Sequence, residues 1–122
     1  MMILGVVRDH LARVTLTLPG LMGAISVEFI LDTGFDGDLT LPSSDLRQLD
    51  ARPLFTSLRA LGDGTLVECP VYQIEMEWND LPRTVDILAL EHNPLLGTML
   101  LEGCRLDIDL TENGEVIIEL PD

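Results

Sequence analysis

Apolar positions along the chain come in short runs closed by Gly, Pro, Asp or Asn, and in several of these runs they alternate with polar positions. A period of two marks a strand with one buried and one wet face. The pattern is clearest from Leu11 to Leu18, where Val14, Leu16 and Leu18 alternate with Arg13, Thr15 and Thr17. With Ile3 to Arg8, this segment predicts a hairpin about Asp9-His10. Ala24 to Leu31 is the next strand, and its unbroken end Phe29-Ile30-Leu31 predicts burial on both faces and a rigid hold on whatever follows. Leu39-Thr40-Leu41 reads as a short strand before Pro42, with Ser43 or Ser44 placed to cap a short helix through Leu49.

Leu54 to Leu61 and Thr65 to Met76 flank Gly62-Asp63-Gly64 and predict a long hairpin with a glycine-rich tip. Arg83 to Leu90 reads as another strand and Thr98 to Cys104 as a short helix. Arg105 to Leu110 and Glu115 to Leu120 read as a last hairpin about Asn113-Gly114. These elements describe one mainly β domain over residues 1–122, with one or two short helices and no repeat, linker or low-complexity segment.

Composition narrows the function classes. A chain of 122 residues that is 47% hydrophobic builds a core without disulfide or metal staples. Its only cysteines, Cys69 and Cys104, lie far apart in apolar company, which predicts buried thiols, a reducing compartment and no disulfide. There is no Cys-x-x-Cys pair, and only His10 and His92 are present to join the cysteines, so neither a zinc site nor any other cofactor is expected. Asp36-Gly37-Asp38 lacks the spacing of a calcium loop, and Asp36, Asp38, Asp107 and Asp109 read as solvated acids. With 21 acidic against 7 basic residues, the net charge of −14 repels phosphate, which argues against nucleic acid and anionic membrane as partners. The apolar start Met1 to Val7 lacks a basic leader and runs into Arg8-Asp9-His10, and no stretch reaches the length a bilayer requires. A soluble, cytoplasmic protein is expected.

Three features carry candidate chemistry: Asp32-Thr33-Gly34 after a buried strand, the Gly62-Asp63-Gly64 tip, and Leu95-Leu96-Gly97. A carboxylate at the end of a rigid apolar strand is partly desolvated. Two such acids about 3 Å apart cannot both ionise, so a pair keeps one proton and holds a base and an acid side by side. That arrangement activates water for attack on a peptide carbonyl. Gly34 lets backbone come close to the carboxylate, and Thr33 supplies a hydroxyl that bonds across a symmetric interface. The hairpin tip is suited to folding over an extended peptide, with Gly62 and Gly64 as hinges. His92, between Glu91 and Asn93, reads as a loop histidine, and no Ser or Cys nucleophile is placed to partner it. Tyr72 and Trp78 read as core or interface residues.

In their order, Phe29-Ile30-Leu31-Asp32-Thr33-Gly34, the Gly62-Asp63-Gly64 hairpin and Leu95-Leu96-Gly97-Thr98-Met99-Leu100 resemble the retroviral-type (retropepsin-like) aspartic proteases. The resemblance covers nearly the whole chain. It is closer to small prokaryotic members of that clan, in which an Asp-Thr-Gly-Phe segment leads into Leu-Thr-Leu-Pro, here Leu39 to Pro42. It implies a closed retropepsin-like β-barrel with a flap hairpin, an obligate homodimer with one Asp-Thr-Gly loop from each subunit, and a peptide or protein substrate. It makes Asp32 the catalytic acid, Thr33 the interlocking hydroxyl, Gly34 the backbone spacer, and Gly62, Asp63 and Gly64 the flap over substrate. Leu96-Gly97 becomes the support beneath the loop, and Ile3 to Val7 or Val116 to Leu120 the dimer contact. Phe35 stands where many relatives carry Ser, Thr or Ala. It offers no hydroxyl to the outer carboxylate oxygen and is read instead as a wall of a substrate pocket. The alternative function is a retropepsin-like domain that binds peptide or dimerises without cleavage.

Overall fold

The computed structural model describes every residue from Met1 to Asp122. It is mainly β: β1 (Met2–Arg8), β2 (Leu11–Leu18), β3 (Ile25–Leu31), β4 (Leu39–Leu41), α1 (Ser43–Leu46), β5 (Arg52–Ala60), β6 (Leu66–Trp78), β7 (Leu81–Ala89), β8 (Leu95–Leu96), β9 (Arg105–Ile108) and β10 (Glu115–Glu119). All strands join one sheet in the order β5-β6-β7-β4-β8-β3-β2-β1-β10-β9. The ladder therefore has two ends, and the closed barrel expected from the sequence is not formed by hydrogen bonding. Pro53 and the bulge beside it suit β5 to an edge, because proline has no N–H to donate to a further strand.

The sheet instead folds over on itself. Ile74, Met76, Val85 and Ile87 of β6 and β7 share one buried cluster with Val7, Val14 and Leu16 of β1 and β2 and with Val116 and Ile118 of β10. The period-two pattern of β2 is responsible locally, since Ala12, Val14, Leu16 and Leu18 all point inward. Trp78 joins this core, and Tyr72 packs against it.

Two tight turns set the hairpin registers. Asp9 and His10 take φ of 51° and 68°, and Asn79 and Asp80 take 58° and 63°. Paired left-handed residues of this kind match the right-handed twist of the flanking strands. The first turn is the one the sequence predicts. The second extends the predicted strands to Trp78 and Leu81, which pair directly.

Three local expectations are corrected. Thr98 to Cys104 is a series of turns and not a helix: after Leu101 N–H to Gly97 O (3.3 Å), Glu102 and Cys104 bond only three residues back, to Met99 O (3.4 Å) and Leu101 O (2.9 Å), so the four-residue spacing of a helix does not propagate. Gly103 then turns left-handed at φ 82°. The α1 helix ends at Leu46, and neither Ser43 nor Ser44 caps it. Pro42 takes the N-cap position, and the Glu91 carboxylate accepts hydrogen bonds from Ser43 N–H (2.9 Å) and Ser43 Oγ–H (2.5 Å). Those bonds, the hydroxyl's first, hold the Glu91 carboxyl below its ordinary value. The last hairpin closes through a wide loop in which only Asn113 is left-handed (φ 64°), because the loop is tied to β1 by Asn113 N–H to Val7 O (2.8 Å) and Val7 N–H to Gly114 O (2.9 Å).

The terminal strands are engaged within the chain. β1 pairs with β10 from Met2 to Val6 and with β2 from Gly5 to Arg8, while β10 lies between β1 and β9. No helix is long and apolar enough to cross a membrane.

Candidate active site

Asp32 follows the last residue of β3, where the buried run Phe29-Ile30 leads into half-buried Leu31. The loop from Asp32 to Asp38 leaves β3 and returns as β4, yet the two strands do not pair. The two residues of β8 lie between them, with Leu31 parallel to Leu96 and Leu39 antiparallel to Leu96. β8 and the residues after it bond the loop along its length. Asp32 N–H donates to Leu96 O (3.0 Å), Gly97 N–H to Asp38 O (2.8 Å), Thr98 N–H to Phe35 O and Met99 N–H to Gly37 O. The Thr40 hydroxyl, fully buried, accepts Leu95 N–H at 3.0 Å. Leu95-Leu96-Gly97 thus supports the loop from beneath.

Within the loop the Asp32 carboxylate accepts Gly34 N–H through Oδ1 at 2.9 Å, and Phe35 N–H returns to Asp32 O at 3.1 Å. This is a turn closed by the aspartate's own side chain. It fixes one carboxylate oxygen and leaves Oδ2 without a protein partner in the single chain. Asp32 is half-buried, and Thr33 and Gly34 are exposed. A cleft of about 430 Å³ opens beside the carboxylate, with an apolar floor of Leu11, Ile30, Leu31 and Leu95 and with His92 and Asn93 on its rim. His92 is the residue the sequence set aside. It is an exposed loop histidine, as expected, and it also lines the cleft of Asp32, its Nδ1 directed at Asn93 O at 2.7 Å. Only the pairing of β8 beside β3 brings the loop before Leu95 to this position.

Phe35 lies beneath the β5–β6 hairpin. Its half-buried ring packs on the small cluster of Cys69, Val71 and Leu88. It also lies flat against two glycines, since a Cβ on Gly37 would come within 2.5 Å of Phe35 Cζ and one on Gly97 within 2.5 Å of Phe35 Cδ2. Phe35 lines a second, smaller cavity of about 70 Å³ together with Phe55, Ser57 and Arg59 of β5. The Arg59 guanidinium reaches over to Asp36, Nη1 to Oδ1 3.2 Å.

The hairpin tip is built as predicted. Leu61 N–H donates to Thr65 O and Gly64 N–H to Leu61 O, with Gly64 at φ 85°. Asp63 closes the tip by accepting Thr65 N–H at 2.9 Å, which holds its carboxyl below the ordinary value. Gly62, Asp63 and Gly64 are fully outside both clefts, so within one chain the tip and Asp32 are not brought together. Of the proposed hinges, only Gly64 uses a glycine conformation.

Asp38, expected to be solvated, is buried at 5% exposure. Its Oδ2 accepts Asp86 N–H at 3.0 Å, and Arg83 Nη2 stands 3.8 Å from Oδ1. Burial pushes the Asp38 carboxyl above its ordinary value, opposed by the Asp86 N–H and by Arg83. The protonated form is thus favoured by folding. Its contribution to stability is full below the unfolded value of 3.8 and is lost as pH rises through the raised folded value. Asp38→Asn, which keeps an acceptor for Asp86 N–H, is expected to melt higher than the natural protein near neutral pH. The advantage should shrink toward pH 3.8, as thermal denaturation at the two pH values will report.

Cys69 is buried and Cys104 half-buried, both unpaired, and burial raises both thiols. No three His, Cys, Asp or Glu side chains converge on a point where a metal ion would be held. No protein-family model, curated protein or solved structure matches the chain.

Proposed function

We propose that this chain is one subunit of a homodimeric aspartic endopeptidase with a retropepsin-like architecture, in which the β5–β6 hairpin is the flap and Asp32 from each subunit forms the catalytic pair. The observation that carries the reading is the mounting of Asp32. One carboxylate oxygen is fixed by Gly34 N–H, the loop is bonded beneath by Leu96 to Met99, and Thr33 and Gly34 are turned outward where a second copy can meet them. A plain turn does not require such a platform.

In the dimer, one Asp32 carboxylate takes a proton from water lying between the pair, and the hydroxide adds to the peptide carbonyl carbon. The protonated Asp32 gives its proton to the carbonyl oxygen. When the tetrahedral diol collapses, the C–N bond breaks, the amine takes the proton held by the first carboxyl, and a diol proton returns to the second. The cleft with its floor of Leu11, Ile30 and Leu95 receives a substrate side chain beside the scissile bond. β1 and β10 are already paired within the chain, so the proposed dimer does not rely on exchange of either strand.

The test is cleavage of a peptide library from acidic to neutral pH, with native mass measurement alongside. Cleavage by a dimer supports the reading. A dimer that cleaves nothing at any pH leaves a module that binds peptide, and a strict monomer removes the paired-carboxylate mechanism. Two subunits of charge −14 repel one another. Dimerisation is therefore expected to tighten severalfold as salt rises from about 0.01 M, where the screening length is about 30 Å, to about 0.15 M, where it is about 8 Å. Sedimentation equilibrium at the two salt concentrations measures this.

A further inference from the structure

Two strands of the sheet lose a neighbour part-way along. β2 is paired with β1 only from Leu11 to Val14, since Met2 to Leu4 of β1 pair with β10 alone, yet its pairing with β3 continues to Leu18. β6 is paired with β5 only as far as Gln73, yet its pairing with β7 continues to Trp78. Thr15 to Leu18 and Ile74 to Trp78 therefore each have one bare edge.

The alternation of an antiparallel ladder says which backbone groups point that way. Ile30 N–H bonds Pro94 O, away from β2, so its partner Arg13 also points out of the β2–β3 ladder, and Thr15 and Thr17 follow in step. The two-residue turn at Asn79-Asp80 makes Trp78 and Leu81 a hydrogen-bonded pair, so Met76 bonds β7 while Glu75 and Glu77 turn away from it. The N–H and C=O groups of Glu75 and Glu77 thus lie on the bare edge of β6, and no loop of the chain bonds them.

One cleft of about 410 Å³ runs along both edges. Four consecutive residues of each strand line it, Thr15 to Leu18 and Glu75 to Trp78, whereas a cleft over one sheet face would touch only every second residue. Its floor is apolar, with Leu16, Leu18, Met76 and Trp78 buried. Glu75, Glu77 and Asp80 are exposed on its rim, none of them in an ion pair, and no basic side chain lines it. The cleft is at the end of β3 away from Asp32, because Leu18 pairs with Ile25, the first residue of that strand.

A bare edge of this kind takes an extended segment as an added strand. Lying antiparallel to β6, where β5 leaves off, such a strand sets every second side chain beside Glu75 and Glu77 and the others beside Met76 and Trp78 on the floor. Arg or Lys suits the first set and apolar residues the second. An acidic segment, a second copy of this −14 chain included, meets like charge at each rim position.

We infer that this cleft docks an extended basic segment of a partner protein, in which Arg or Lys alternates with apolar residues, by strand addition to Glu75–Trp78. The site is separate from Asp32 and requires neither cleavage nor dimerisation.

The probe is an acetylated octapeptide of alternating Val and Arg, with two controls: its Val/Glu counterpart, and the same Val/Arg peptide N-methylated at its arginines, which removes the N–H groups facing β6. Binding is followed by the fluorescence of Trp78, the only tryptophan, and by amide hydrogen exchange. The Val/Arg peptide is expected to bind, to shift the Trp78 emission and to slow exchange of the Glu75 and Glu77 amides, while both controls lose binding. Glu75→Gln with Glu77→Gln should weaken binding severalfold. Glu77→Pro should abolish it, since proline there breaks no bond to β7 and only blocks the edge. Where that variant melts early, the N-methylated peptide decides the same point on the natural protein. Asp32→Asn should bind as the natural protein does, so a chain that binds and never cleaves keeps this site while losing the protease reading. No binding of the Val/Arg peptide, equal binding of either control, or protection at the Asp32 loop or the hairpin tip in place of Glu75 and Glu77 overturns the inference.

Discussion

Asp32→Asn is expected to lower kcat/KM for peptide hydrolysis by about 10²–10⁴ or more while leaving melting and dimerisation nearly unchanged. The substitution keeps an oxygen able to accept Gly34 N–H, so the turn that mounts the side chain survives. What it removes is the capacity to take and return a proton. A sharper version follows from the symmetry of the proposed site. Adding an equal amount of Asp32→Asn chains to the natural chains, with free exchange, should cut activity to about half, because random pairing leaves half the natural chains in mixed dimers. A monomeric enzyme would keep all of its activity in that mixture. The activity should also be bell-shaped in pH, since one proton must be shared between the two carboxyls.

Gly97→Ala is expected to cost about 3 kcal/mol or more of stability, a large effect for the addition of one methyl group. An added Cβ would stand 2.3 Å from Gly37 O, 2.7 Å from Phe35 O and 2.5 Å from Phe35 Cδ2. Two of these three atoms are backbone of the Asp32 loop and cannot swing aside. The loop would have to rise off β8, stretching the Gly97 N–H to Asp38 O and Thr98 N–H to Phe35 O bonds. Denaturant unfolding measures the stability. The double variant Phe35→Ala/Gly97→Ala separates the causes: if the ring is the obstacle, part of the loss is recovered, and if the carbonyls are, none is. Activity should fall further than stability predicts, because positioning of Asp32 depends on the same bonds.

Much of this architecture was legible in the sequence where the deciding interaction is local. Val14, Leu16 and Leu18 alternate with polar neighbours, and this alone settles which face of β2 is buried. Asp9-His10 and Gly62-Asp63-Gly64 place turns because their residues tolerate the backbone those turns need. The expected helix from Thr98 to Cys104 failed for the opposite reason. Its composition permits a helix, but the segment is tied at its start to the Asp32 loop, more than sixty positions earlier, and is cut short by left-handed Gly103, so only turns form between. The capping of α1 failed likewise, with Glu91 supplying from a distant loop what Ser43 and Ser44 were expected to supply nearby. Asp38 looked like one more surface acid among Asp36, Asp107 and Asp109, and no neighbour in sequence distinguishes it. Its burial results from β4 pairing with β7, which brings Asp86 N–H to it.

The sequence by itself determined that this chain is mainly β, that a rigid apolar strand delivers Asp32 into a tight turn, and that a glycine-tipped hairpin lies downstream. Those properties depend on side-chain periodicity and on residues' own backbone preferences. Only the tertiary structure decided that β8 enters between β3 and β4 to carry the loop, that the sheet stays open at β5 and β9, that His92 rims the cleft of Asp32, and that Asp38 is buried against Asp86 N–H. Each of these is a pairing between segments far apart in the chain, chosen by burial and hydrogen-bond satisfaction over the whole sheet, and no local pattern records that choice.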